Sequence, residues 1–318
     1  MRARTTTISA AVNAWGCSMQ AKLAIAPIGW TNDDMPELGG GTSLATCLSE
    51  ARQAGYRGVE MGGKFPRAAD ELKAVLDLHG LRLAGGWYSG TLLDNDMAAE
   101  QSRITPQLEL FKTVGAPCIV YGETAGSIQG DRGAPIATRR RLDGGTIRDY
   151  GRRMTDFAEW CADQGMPIAY HHHMCAPIET EADLDALMAA SGPALRLLFD
   201  PGHMAFAGGD PLRIIDRHGD RISHVHAKDV RAKVLTGLDR DRESFLDAVL
   251  KGVFTVPGDG MLDFHAIARR LADAGYEGWF VVEAEQDPSL APPLDYAIEG
   301  RAALSAALQA AGYRITED

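Results

Sequence analysis

The sequence predicts a single closed (β/α)8 barrel of the α/β class, and three observations predict it. Short apolar runs alternate with longer amphipathic segments from residue 23 onward, the pattern of a parallel sheet with crossover helices. The runs number eight. No composition break divides them and no Gly-x-Gly-x-x-Gly follows the first, which favours one ring over a doubly wound open sheet.

Taken in order, strands are expected at 23–29, 58–62, 81–89, 118–123, 167–173, 195–200, 222–228 and 278–285. Segments 43–55 and 69–80 place apolar residues three and four apart and end on glycine, as helices with a C-cap do. The longest helix is expected at 146–165. Segment 263–275 opens on an acidic cap and ends on Ala-Gly, and a helix near 294–312 closes the ring. Two connections, 124–145 and 229–260, exceed the usual few residues; both follow strands and therefore lie over the active face. Residues 1–22 are basic and rich in Ser, Thr and Ala without a continuous apolar stretch. They read as a disordered extension or an upstream start, with Met19 an alternative start, so the barrel is expected over 23–318.

Hydrophobic residues make up 45% and charged residues 24% of the 318, the balance of a soluble globular protein, and no apolar run approaches the roughly 20 residues that span a bilayer. No membrane partner is expected. The formal net charge of -11 opposes a nucleic-acid partner, since phosphate backbones are held by clustered Lys and Arg; a small neutral substrate fits better. Five scattered cysteines with no Cys-x-x-Cys pair indicate neither a disulfide framework nor a zinc knuckle, so a reducing cytoplasm is expected. A homo-oligomer is the default assembly.

In such a barrel the chemistry sits where strands end. Strand five ends in Tyr-His-His-His (170–173), strand six in Phe-Asp-Pro-Gly-His (199–203), strand seven in His-Val-His-Ala-Lys-Asp (224–229) and strand eight in Val-Val-Glu-Ala-Glu (281–285). A single strand-end histidine is more often a satisfied polar residue than a ligand, and Asp before Pro-Gly is commonly a turn former. Four consecutive strand ends with ligand-type side chains reverse that balance, because isolated buried carboxylates cost several kcal/mol unless a charge pairs them. Mixed imidazole and carboxylate suit a divalent first-row ion, Mn2+ or Co2+ first, with Fe2+ or Zn2+ behind. Strand alternation puts His171 and His173 on one face with Tyr170 and His172 on the other, and groups His224 with His226 and Lys228.

At these residues the sequence resembles the xylose-isomerase-like TIM-barrel superfamily, which implies His171, Asp200, His226 and Glu283 as metal ligands. It resembles the inosose dehydratase family more closely, through APIGWTNDDMPELGG (26–40), GGKFPR (62–67), GGWYSG (85–90), GETAGSIQG (122–130), YHHHM (170–174), AGGDP (207–211), GVFTVPGDG (252–260) and EAEQDP (283–288). His171 stands where superfamily relatives place Glu, so the first ligand is open among His171, His173 and Glu179. Cys175 stands where the family has Gly, which places a thiol near the expected metal.

The resemblance implies loss of water from a cyclic polyhydroxy ketone, 2-keto-myo-inositol, to a trihydroxycyclohexane-1,2-dione. That elimination needs a Lewis acid on the ketone, a base for the neighbouring C–H and an acid for the departing hydroxyl. His173 and His203 are expected as base and acid, in either order, with Lys228 a third candidate and Glu283 both ligand and catalytic group. Trp30, Asp33, Glu60, Lys64, Trp87 and Glu123, at or just after the first four strands, are expected on the opposite, substrate-binding wall. The family is also associated with glutathione, for which the sequence carries no binding feature. A keto-sugar isomerase or epimerase would need paired carboxylates about the reacting carbon, which His171 in place of Glu opposes. An abasic endonuclease would need a basic groove, which the net charge opposes.

Overall fold

In the computed structural model, which describes residues 19–317, parallel pairing runs unbroken round a ring. The barrel strands are β1 (Gln20–Ile25), β2 (Gly58–Met61), β3 (Arg82–Gly90), β4 (Ile119–Glu123), β5 (Ile168–Tyr170), β6 (Arg196–Phe199) and β7 (Ile222–Ala227), and after a short antiparallel pair, β8 (Asp229–Val230) and β9 (Phe254–Thr255), comes β10 (Gly278–Val282). Pairing of β10 with β1 from Ala21↔Gly278 to Ile25↔Val282 closes the ring, so the single (β/α)8 barrel expected from the sequence is the fold observed. A further strand, β11 (Arg314–Thr316), adds to the outer end of β1. It was not expected, and with it β1 begins at Gln20 rather than residue 23: Ala21 stands alone between two polar residues, which hides the strand from periodicity. The expected extension lies mostly in residues 1–18, outside the described residues.

Several helices start where the sequence offers a cap. Ser43, Asp143 and Asp263 each accept a backbone N–H of the first turn of the helices Leu44–Gln53, Gly144–Asp163 and Phe264–Asp273, satisfying donors that the helix leaves unpaired. Gly80 takes the left-handed conformation that ends Ala69–His79. Their inner faces bury Leu48, Leu72, Phe111, Phe157, Leu187, Leu271 and Leu308 against the outside of the barrel, each contributing about 1.5–3 kcal/mol of transfer free energy. No helix among the described residues is long and apolar enough to cross a membrane.

The two long connections meet. Ile136 N–H donates to Glu243 O and Ala137 N–H to Arg240 O, both at 2.9 Å. With the turn after β5 and the end of the helix after β6 they build a second apolar cluster, including Ile136, Met174, Cys175, Phe206, Phe245 and Phe254, over the strand ends. Asp229 pins this layer by accepting the backbone N–H groups of Val230, Gly258 and Leu262.

Cys175 lies in this upper cluster, not on the metal side, and it is the one non-glycine with positive φ (61°) among the described residues. Burial pushes its thiol up to about 12, so it carries no reactive thiolate. The left-handed region tolerates Gly and is costly for β-branched residues. Cys175→Val is therefore expected to destabilise by about 2 kcal/mol or more, while Cys175→Gly stays within about 1 kcal/mol of wild type, relief of strain offsetting lost packing. Chemical denaturation of the three proteins checks this; equal stability of the Val and Gly variants would contradict it.

Candidate metal centre

β5, β6, β7 and β10 end side by side, and the residues at or just past their ends converge. One ligand atom each from His171, Asp200, His226 and Glu283 falls within 4.8 Å of the others, all buried but for the half-buried Glu283. His171 Nε2 lies 3.7 Å and His226 Nδ1 3.6 Å from Asp200 Oδ2, and His226 Nδ1 lies against Glu283 Oε2. Asp200 Oδ2, His226 Nδ1 and Glu283 Oε2 are buried without a hydrogen-bond partner among the described residues. Buried polar atoms are almost always satisfied, so three orphans facing one point fit a cation.

The second atoms of these side chains are engaged. Asp200 Oδ1 accepts His203 N–H at 2.8 Å and so caps the helix Pro201–Phe206. His171 Nδ1 lies 2.5 Å from His172 O; only an N–H can make that contact, so Nε2 keeps the lone pair and turns it to Asp200. Burial, with the rings of His226 and His173, holds His171 well below the ordinary histidine range, and a neutral imidazole is what a metal requires. Against burial, His226 and Lys228 hold Glu283 well below the carboxylate range.

The alternatives for the first ligand are accounted for elsewhere. Glu179 Oε2 accepts Cys175 N–H at 2.6 Å and Oε1 faces Arg139 Nε at 3.4 Å. His173 shares the inward face with His171, as alternation predicts, but lies outside the four; its Nδ1 donates to Met174 O at 3.0 Å, which directs Nε2 away from that carbonyl.

Above the cluster opens a cavity of about 250 Å³ lined by Asp33, Glu60, Trp87, His171, His173, His226 and Glu283 among others. Trp87 stands edge-on to His171 and His173, with ring centres 5.8 and 5.5 Å away. A methyl at Gly122 would come 1.9 Å from its Cη2, so glycine there is what lets the indole lie against β4. Asp33 receives Gly63 N–H at 2.8 Å at the rim.

Three residues expected on this wall lie elsewhere. Trp30 is packed in the barrel–helix core and donates to Glu50 at 2.5 Å. The Lys64 ammonium is spent on the carbonyls of Gly40 and Thr42. Glu123 is buried behind β4, accepting from Leu93 N–H, Ala125 N–H and the Tyr121 and Tyr150 hydroxyls; burial, against these donors, pushes it up to about 7.

The expected acid and third base also change place. His203 is fully buried under Phe254 and does not line the cavity; its Nε2 lies 2.7 Å from Lys228 Nζ. Burial and that ammonium hold His203 well below the ordinary range. Lys228 is fully buried among Glu285 Oε2 (2.9 Å), Glu283 Oε1 (3.1 Å) and Asp200 Oδ2 (3.7 Å). Against burial, these carboxylates hold it above the lysine range, which favours a charged ammonium over a base. Conversely the cavity is lined by Thr31, Asp34, Ser89, Gln129 and Glu285, to which the sequence reading gave no role. Glu285 was within reach of it: two residues past Glu283, it shares the same inward face.

The family model described as xylose isomerase-like TIM barrel matches residues 48–307. The chain belongs to the xylose isomerase-like TIM barrel family. Within curated proteins it is 52% identical to the rhizopine catabolism protein MocC of Rhizobium meliloti, over 94% of this chain and 92% of that one. It is 44% identical to the inosose dehydratase of Geobacillus thermodenitrificans, over 89% of this chain and 95% of that one. Among solved structures, the IOLI protein with a zinc atom shares the fold at a TM-score of 0.66 and 15% identity, over 91% of this chain and 98% of that one.

Proposed function

We propose that the chain is an inosose dehydratase, a carbon–oxygen lyase that removes water from 2-keto-myo-inositol to give 3D-(3,5/4)-trihydroxycyclohexane-1,2-dione in inositol catabolism. The observation that carries this reading is the cluster of His171, Asp200, His226 and Glu283, with its three orphaned atoms, at the floor of a ring-sized cavity. Those four residues would hold a divalent ion, Mn2+ or Co2+ first, which supplies a Lewis acid for the ketone oxygen. Glutathione is given no role. Inosose dehydratases 38–44% identical over nearly the whole chain support the substrate assignment.

His173 is the proton-transfer group of this reading, and Glu285, a carboxylate paired with Lys228, is an acceptor for the substrate's hydroxyls: each lines the cavity and each stands outside the ligand set. His173 gives its Nδ1–H to a carbonyl, so in the neutral ring Nε2 holds the lone pair, which takes the proton beside the ketone. The imidazolium so formed gives its proton to the departing hydroxyl, so that C–H and C–O bonds break, water leaves and an enol remains, which ketonises to the dione. The apolar layer of Phe245 and Phe254 behind His203 keeps water from this side of the site, strengthening each electrostatic contact.

The charged side chains lining the cavity are Asp33, Asp34, Glu60, Glu283 and Glu285, and no Lys or Arg joins them among the described residues. This favours an uncharged polyol over a sugar phosphate. The reading carries with it a cytoplasmic, homo-oligomeric enzyme.

The test is incubation of metal-reconstituted protein with scyllo-inosose, following dione absorbance with and without chelator. Dione is expected to form, to cease on chelation, and not to form from ketohexose phosphates. No dione from scyllo-inosose would sink the lyase reading.

A further inference from the structure

Two groups of ligand-type residues share His226: the four-residue centre and the trio Glu60, His224 and His226. They differ in how their atoms are satisfied. The centre holds three orphaned atoms. In the trio Glu60 Oε1 lies 2.7 Å from His224 Nε2 and Glu60 Oε2 lies 3.1 Å from His226 Nε2, both hydrogen-bond lengths, and none of these four atoms is unpaired. A cation there would have to break both bonds, so the trio is not a second metal site.

It does something else. A neutral imidazole has one lone-pair nitrogen, and which one is set by the partner of the other. At His226 the centre needs Nδ1, which faces Asp200 and Glu283. We propose that Glu60 is the positioning residue of the metal centre: by accepting His226 Nε2–H across the barrel from β2, it fixes the tautomer and ring angle that present Nδ1 to the cation. His224 holds the other carboxylate oxygen, so Glu60 cannot turn to ligate in its own right. β3 makes room for the arrangement, since a methyl at Gly85 would stand 3.2 Å from Glu60 Oε1 and 3.5 Å from His224 Nε2. Glu60 and His226 are 166 residues apart in sequence. This inference rests on the metal reading and is independent of which substrate the enzyme takes.

The test uses metal-free wild type, Glu60→Ala and Glu60→Gln titrated with Co2+, following its visible absorption, and the zinc-loaded proteins labelled with 15N-histidine. Glu60→Ala is expected to bind Co2+ about 10–100-fold more weakly. Glu60→Gln, whose amide oxygen still accepts Nε2–H, is expected to keep most of the affinity. In the zinc-loaded wild type, His226 should show a metal-bound Nδ1 and a protonated, slowly exchanging Nε2, the latter exchanging fast in Glu60→Ala. Should Glu60→Ala not fold, Glu60→Leu, which fills the space without an acceptor, carries the comparison. A purely structural role would lower the melting temperature without separating the affinities of the Gln and apolar variants. Wild-type affinity in the apolar variant overturns the proposal while leaving the metal reading intact; a wild type that binds no Co2+ overturns both.

Discussion

Asp200→Asn is expected to lose bound metal and to lower dione formation by about a thousandfold, which is about 4 kcal/mol of transition-state stabilisation. The carboxylate has two separable duties. Oδ1 caps the helix Pro201–Phe206 through His203 N–H, while Oδ2 is the orphaned atom within 3.6–3.8 Å of His226, His171 and His203 nitrogens. Asparagine keeps a capping oxygen, so the fold should survive within about 1 kcal/mol. In place of the anionic ligand it offers an N–H2 or a neutral oxygen. Asp200→Ala removes both duties and should lose stability as well as metal. Elemental analysis of the purified variants beside the turnover assay separates the two; full metal occupancy in Asp200→Asn would show that the ligand set is misassigned.

The sequence displayed the ring and the candidate ligand cluster for the same reason. Barrel strands buried on both faces read as apolar runs, and each run that ended in His, Asp or Glu pointed to one end of one barrel. Alternation then sorted His171 and His173 from Tyr170 and His172. It could not choose between His171 and Glu179, because that depended on Arg139, more than thirty residues away, claiming the carboxylate.

The same non-locality explains the residues that moved. Trp30 and Lys64 do follow strands and Glu123 ends β4, but strand-end position gives height on the barrel, not direction of the side chain. Their partners Glu50, the 40–42 turn and Tyr150 come from other elements. Gln129 lines the cavity from a loop with no periodicity at all. The meeting of the two long connections at Ile136 and Ala137 had no local signal either.

Lys228 lies at the site where the sequence placed it, in surroundings that suit a buried charge better than a base. It is a buried cation among Asp200, Glu283 and Glu285, with its ammonium also 4.8 Å over the ring of Phe254. Removing one member of a buried charge network leaves the others uncompensated, a loss of about 3–5 kcal/mol. Lys228→Met, which keeps the length and removes the charge, is therefore expected to melt on the order of 10 °C below wild type. A divalent cation bound by Asp200 and Glu283 replaces part of the missing charge, so saturating Co2+ should raise the melting temperature of Lys228→Met by more than it raises that of wild type. Thermal unfolding of both proteins, with and without the ion, gives the four temperatures required. If Lys228 were instead a general base, its removal would abolish turnover while leaving the metal-free melting temperature within about 2 °C of wild type, and that outcome would return it to the catalytic set.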